Sequence, residues 1–226
     1  MGRPAGRINR DHPDKRHELA TRLRAAMLTL GPGASVRELA EASGVSLGNL
    51  RHYFGDREGV FRAVAEVLEL DGRPHVEAAM VPGEGTAEEV LARYLHSLGV
   101  AWTRFGVGRI HAVTLAEGLG DKARGVAYVQ HVLEPTLRSA EGLLGALVAD
   151  GRLPPLDLRA GALALVGPVV LALLHQEELG GAGCRPLLVP LFIDTQLTAW
   201  LRGWAPARGP DAAGRARRGP LPTVPD

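Results

Sequence analysis

The side chains best suited to holding an anion fall in one short stretch. Ser35, Ser46 and Asp56 stand where each would cap a helix, and Arg37, Arg51 and Arg57 are interspersed among them. A capping hydroxyl or carboxylate marks a helix start, where unpaired N–H groups carry the positive end of the helix dipole and favour phosphate. Ser35 and Glu38 have the S-x-x-E spacing of a capping box. Bond-making chemistry is not indicated. The chain has no H-E-x-x-H, no G-x-S-x-G, no phosphate-binding glycine loop and no Cys/His cluster with metal-ligand spacing. The paired acids Glu88-Glu89 and Glu177-Glu178 read as solvated helix faces. The expectation is a binding protein rather than an enzyme, with no cofactor and no metal.

The elements that must position these residues are two short helices joined by a tight turn. Over Ser35 to Phe54 (SVRELAEASGVSLGNLRHYF), Leu39, Val45, Leu50 and Tyr53 are spaced to face inward. Ala40 is small where the helices cross, and Gly44 stands where the turn needs positive φ. This is the steric pattern of a helix-turn-helix. Its second helix would enter the major groove with Leu47, Gly48, Asn49, Arg51, His52 and Tyr53 as candidate contacts. Asn49 has the donor and acceptor to read adenine, Leu47 suits a thymine methyl, and Gly48 leaves room for the duplex. Ser35, Arg37, Ser46 and Arg57 are the candidate phosphate contacts.

The run Gly44 to Phe61 (GVSLGNLRHYFGDREGVF) resembles the signature of the TetR family: a Gly-Val-Ser turn, a short recognition helix with a His-Tyr-Phe-like end, and a basic-acidic pair opening the fourth helix. Two positions depart from it, Arg51 where the family usually has an aromatic residue and Arg57 where it usually has Lys. The resemblance implies a homodimeric repressor that binds operator DNA through the head and a small molecule through a helical body. The alternatives are a helical DNA-binding adaptor without a small-molecule effector, or an activator of the same fold.

The remainder of the 226 residues fits that frame. Apolar spacings of three and four recur from end to end without sustained alternation, so the fold class is all-α. The expected organisation is a flexible basic arm over 1–13 carrying Arg3, Arg7 and Arg10, a helix-turn-helix head over 14–56, a ligand-binding and dimerisation body over 57–204, and a disordered Pro/Gly/Arg tail over 205–226. Helices are expected at about 14–30, 121–149 (bent at Pro135), 158–178 (kinked at Pro168) and 187–203, with a loop containing Pro74, Pro82 and Gly83 between head and body. Charge divides along the same lines. Residues 1–60 carry 10 Lys/Arg against 7 Asp/Glu, residues 61–204 carry 12 against 16, and residues 205–226 carry 4 against 2, which makes a modestly basic head on an acidic body.

Ala160 to Leu174 is apolar nearly all round. Its partner helix brings Leu187, Leu188, Leu191, Phe192, Ile193, Leu197, Trp200 and Leu201, so the two are expected to pair with their copies as a four-helix bundle. At fifteen residues with an internal Gly-Pro, the run is shorter than a membrane span requires, and no membrane association is expected. Cys184 is the only cysteine and no secretory leader is apparent, which points to the cytoplasm. Trp102, Phe105, His111, Tyr128, His131 and His175 are the candidates to line an effector cavity, because aromatics are only 4% of the chain.

Overall fold

The computed structural model describes residues 11–204, and every regular element among them is helical. The tail and most of the arm, with Arg3, Arg7 and Arg10, lie outside the described residues. The first helix, α1 (Asp11–Leu30), begins three residues before the expected start and accommodates Pro13 in its first turn, where a missing N–H costs nothing. Leu19, Leu23, Ala26 and Met27 form its buried stripe, whereas Leu30, at the same helical spacing, is exposed.

Helices α2 (Val36–Ser43) and α3 (Leu47–Phe54) form the helix-turn-helix. Gly44 joins them in the left-handed region at φ 64°, a conformation only glycine adopts without strain. Leu39, Ala40, Val45 and Leu50 are buried as expected; Tyr53 is half-buried, and Phe54 beside it is the aromatic that closes the core. Arg22 of α1 fastens the end of α2 by donating twice to the Ser43 carbonyl, at 3.0 and 2.7 Å.

Helix α4 (Arg57–Ala79) corrects the expected loop at Pro74, because it runs through that proline. Pro74 cannot donate to the carbonyl of Leu70, but Leu70 and Asp71 are exposed, so water can serve that oxygen and the helix survives. The interruption comes only after Ala79. The N-terminal half of α4 completes the head's core with Val60, Phe61, Val64 and Val67. The same cluster takes in Val113, Ala127, Tyr128 and Val132 from the body, so head and body share packed surface.

The body comprises α5 (Ala87–Arg104), α6 (Val107–Leu119), α7 (Lys122–Tyr128), α8 (Glu134–Ala149), α9 (Leu158–Leu173), the one-turn α10 (Gly181–Cys184) and α11 (Val189–Trp204). The expected helix over 121–149 is continuous helical chain from Lys122 to Ala149 in which a π-helical turn, Val129–Leu133, ends two residues before Pro135. The helix widens locally next to the proline, one of the arrangements by which a helix accommodates a change of direction. A second π turn, Leu174–Glu178, extends α9. The resulting Leu158–Glu178 helix spans 21 residues, long and apolar enough to cross a membrane by length and composition, so length does not argue against a span as the shorter run suggested. Packing is the better guide: Ala162, Leu165, Val166, Val169 and Leu173 lie in the body's core with residues of α5, α8 and α11.

Candidate nucleic-acid interface and effector site

The head presents α3 by capping and burial together. Ser46 accepts from the Asn49 N–H at 3.2 Å and Asp56 accepts from the Gly59 N–H at 2.9 Å, so the starts of α3 and α4 are both fixed. With Leu50 and Phe54 turned inward, Gly48, Asn49, Arg51 and His52 are left on the exposed side, while Leu47 and Tyr53 are half-buried at its edges. A Cβ at Gly48 would meet only Ser46 Oγ, at 3.9 Å, so the start of α3 is open to a close-approaching surface. Ser35 forms the full capping box with Glu38, whose carboxylate accepts from the Ser35 N–H at 2.8 Å. The Ser35 hydroxyl and N–H together hold the Glu38 carboxyl below its ordinary range. Arg37 is exposed on α2.

Arg57, expected on the phosphate edge, has internal partners: its guanidinium donates to the Ala34 carbonyl and to Glu117 at the end of α6. Glu117 is buried, and a buried carboxylate without a cation is far more costly than a surface arginine without a phosphate, so the internal partner wins.

In the body, three of the six expected effector residues come together. The Trp102 and His111 rings stack at 5.0 Å, His111 meets Tyr128 edge-on at 6.0 Å, and His111 Nδ1 lies 3.2 Å from the Tyr128 hydroxyl. Burial pushes His111 down to about 4 and Tyr128 up to about 12, so both are neutral at ordinary pH. Trp102 Nε1 is buried with no acceptor among the described residues. Tyr128 also lines an open groove of about 670 Å³ walled by Leu115, Leu119, Val126 and Val129, with Lys122 and Arg138 at its rim.

The other three stand apart from this cluster. Phe105, at the end of α5, is 76% exposed. His131 binds Glu69 of α4 at 2.6 Å, and His175 is exposed beside Gln176. Sequence spacing missed Glu117 and Arg109, which join body to head, and Arg124, which braces Glu117 from α7. The available signal was Glu117 itself, a lone charge in the otherwise uncharged stretch Ile110–Leu119.

Neither a family model nor a curated protein matches the chain. Solved structures do. A protein of Mesorhizobium loti assigned to the TetR family of transcriptional regulators superposes with a TM-score of 0.68 at 19% identity, over 86% of this chain and 98% of its own. A TetR-family transcriptional regulator of Pectobacterium atrosepticum gives 0.61 at 20% identity, over 88% and 98%. The fatty acid degradation regulator FadR of Bacillus halodurans gives 0.58 at 18% identity, over 88% and 97%. The chain therefore has the all-helical fold of TetR-family regulators over nearly their whole length.

Proposed function

We propose that the chain is a ligand-responsive transcription regulator of the TetR type, a cytoplasmic repressor that binds palindromic operator DNA as a homodimer and releases it when a small molecule occupies the body. The observation that carries this reading is the exposed face of α3, where Gly48, Asn49 and Arg51 lie at the surface of a capped and buried helix-turn-helix. In this reading Asn49 reads a base edge, while Arg51, Arg37 and the N-terminal turns capped by Ser35 and Ser46 hold phosphates. The division between DNA-binding head and regulatory body runs along α4 rather than at a loop.

The dimer is supported by apolar surface that one subunit leaves uncovered. Leu163 and Leu171 of α9 are 56% and 66% exposed, and Leu191 of α11 is 62% exposed, on the two helices that a four-helix bundle would pair. The effector is supported by Trp102 Nε1, a buried donor that a ligand carbonyl or ether would satisfy. A moderately apolar molecule entering past Tyr128 would suit the cluster.

Selection of bound DNA from a random pool tests the proposal: the winner should be a palindrome with half-sites one or more helical turns apart. Recovery of no preferred sequence, or of an asymmetric one, would overturn it. Titration of a hit from a thermal-shift screen, with and without operator, tests the effector. Its affinity should fall on operator by the factor by which it weakens operator binding, about 5- to 150-fold.

A further inference from the structure

One buried carboxylate joins four elements of head and body. Glu117, at the end of α6, receives the Arg57 guanidinium from the start of α4, the Gly33 N–H from the α1–α2 loop at 2.7 Å, and Arg124 of α7 at 3.3 Å. Arg57 also holds the Ala34 carbonyl just ahead of the Ser35 cap. A second strut lies on the same helix, where Arg109 donates to the Leu28 carbonyl of α1 at 2.9 Å. Arg57 follows α3 by three residues, so the group that grips Glu117 is tied by a short turn to the end of the recognition helix. A groove of about 350 Å³, lined by Gly33, Arg57, Ala116, Gly120 and Arg124, borders this cluster.

We infer that Glu117 is a latch between α6 and the head, a positioning residue that sets the angle of α3 to the body without touching DNA. This rests on the proposed operator-binding function, because the latch matters for DNA only if two heads must reach two half-sites at once. A buried ion pair is satisfied in one geometry and penalised in others, so it defines an angle better than apolar contact does. His111 and Glu117 are on the same helix, six residues apart, so an effector that displaces α6 would act on the latch directly.

Two measurements test it. The first needs no DNA. In a Cys184→Ser background, spin labels at Asn49→Cys and Ala149→Cys, diluted with unlabelled chain, report the distance from α3 to the end of α8 within one subunit. Glu117→Gln should broaden or shift that distribution, and an unchanged distribution would overturn the latch. The second compares operator carrying both half-sites with a single half-site. Glu117→Gln should lose about 5- to 150-fold on the full operator while half-site binding stays within about twofold.

Arg57→Gln attacks the latch from its more exposed side, and serves if Glu117→Gln does not fold. Its losses should not add to those of Glu117→Gln. Additive losses, or equal losses on half-site and full site, would return Arg57 to a phosphate role and overturn the inference. Failure of the wild type to select any operator would defeat the functional proposal alone, since the distance measurement still decides the latch.

Discussion

At the scale of single residues, Arg51 and His111 carry the sharpest expectations. Arg51 is exposed on α3, and in the proposed binding mode its guanidinium clamps a phosphate. Arg51→Ala should therefore weaken all DNA sequences alike and reduce the salt-dependence slope by about one per subunit. Loss confined to one base pair per half-site, about 1–3 kcal/mol, would mean that it reads guanine instead. His111 answers to pH. Its ordinary value of 6.5 falls to about 4 because it is buried. Between those values the unfolded chain binds a proton that the folded chain refuses. The stabilisation is thus complete above about pH 6.5 and lost as pH falls toward 4, by an amount on the order of 3 kcal/mol. Urea unfolding at pH 7.5 and pH 5 should show a smaller pH dependence in His111→Phe than in wild type; equal dependence would show that His111 titrates normally.

At the scale of elements, two glycines in the head have opposite reasons to be there. Gly59, in the first turn of α4, has no room for a side chain, because a Cβ would fall 1.8 Å from the Phe54 carbonyl oxygen at the end of α3. That oxygen belongs to backbone and cannot swing aside, so Gly59→Ala should destabilise by about 3 kcal/mol by forcing α3 and α4 apart, measured by urea denaturation. Gly48 has open space above it. Gly48→Ala should stabilise the helix by about 0.5–1 kcal/mol. It should nevertheless weaken operator binding, since the added methyl occupies the surface the duplex approaches. Undiminished DNA affinity in Gly48→Ala would move the recognition face away from Gly48.

At the scale of the whole molecule, the exposed leucines of α9 and α11 set the expectation for assembly. Leu171 is 66% exposed in the subunit, so a charge there costs the isolated fold little. In a four-helix dimer interface the same charge is buried without a partner and costs several kcal/mol. Leu171→Glu should therefore give a monomer by light scattering at micromolar concentration with helical circular dichroism retained, and should lose the full operator. A wild-type chain that is monomeric under those conditions would overturn the dimer.

Local chemistry made the head legible in the sequence. Ser35 with Glu38, Gly44, Ser46 and Asp56 each act on backbone within four residues, so their types and spacing alone determine where α2, α3 and α4 begin. The apolar stripe of α1 and the all-round apolarity of α9 were readable for a similar reason, since periodicity records which face meets the core. The fate of Pro74 was not readable, because the same proline ends a helix in one setting and rides on its solvent face in another. Nor was the partner of Arg57. Its charge and its place at a helix start suit a phosphate, and only the fold brings the buried Glu117, sixty residues away in the chain, against it. The same holds for the gathering of Trp102, His111 and Tyr128 and the exclusion of Phe105. Helix spacing says which side of its own helix a residue occupies, whereas helix–helix packing decides which residues of different helices share an interior.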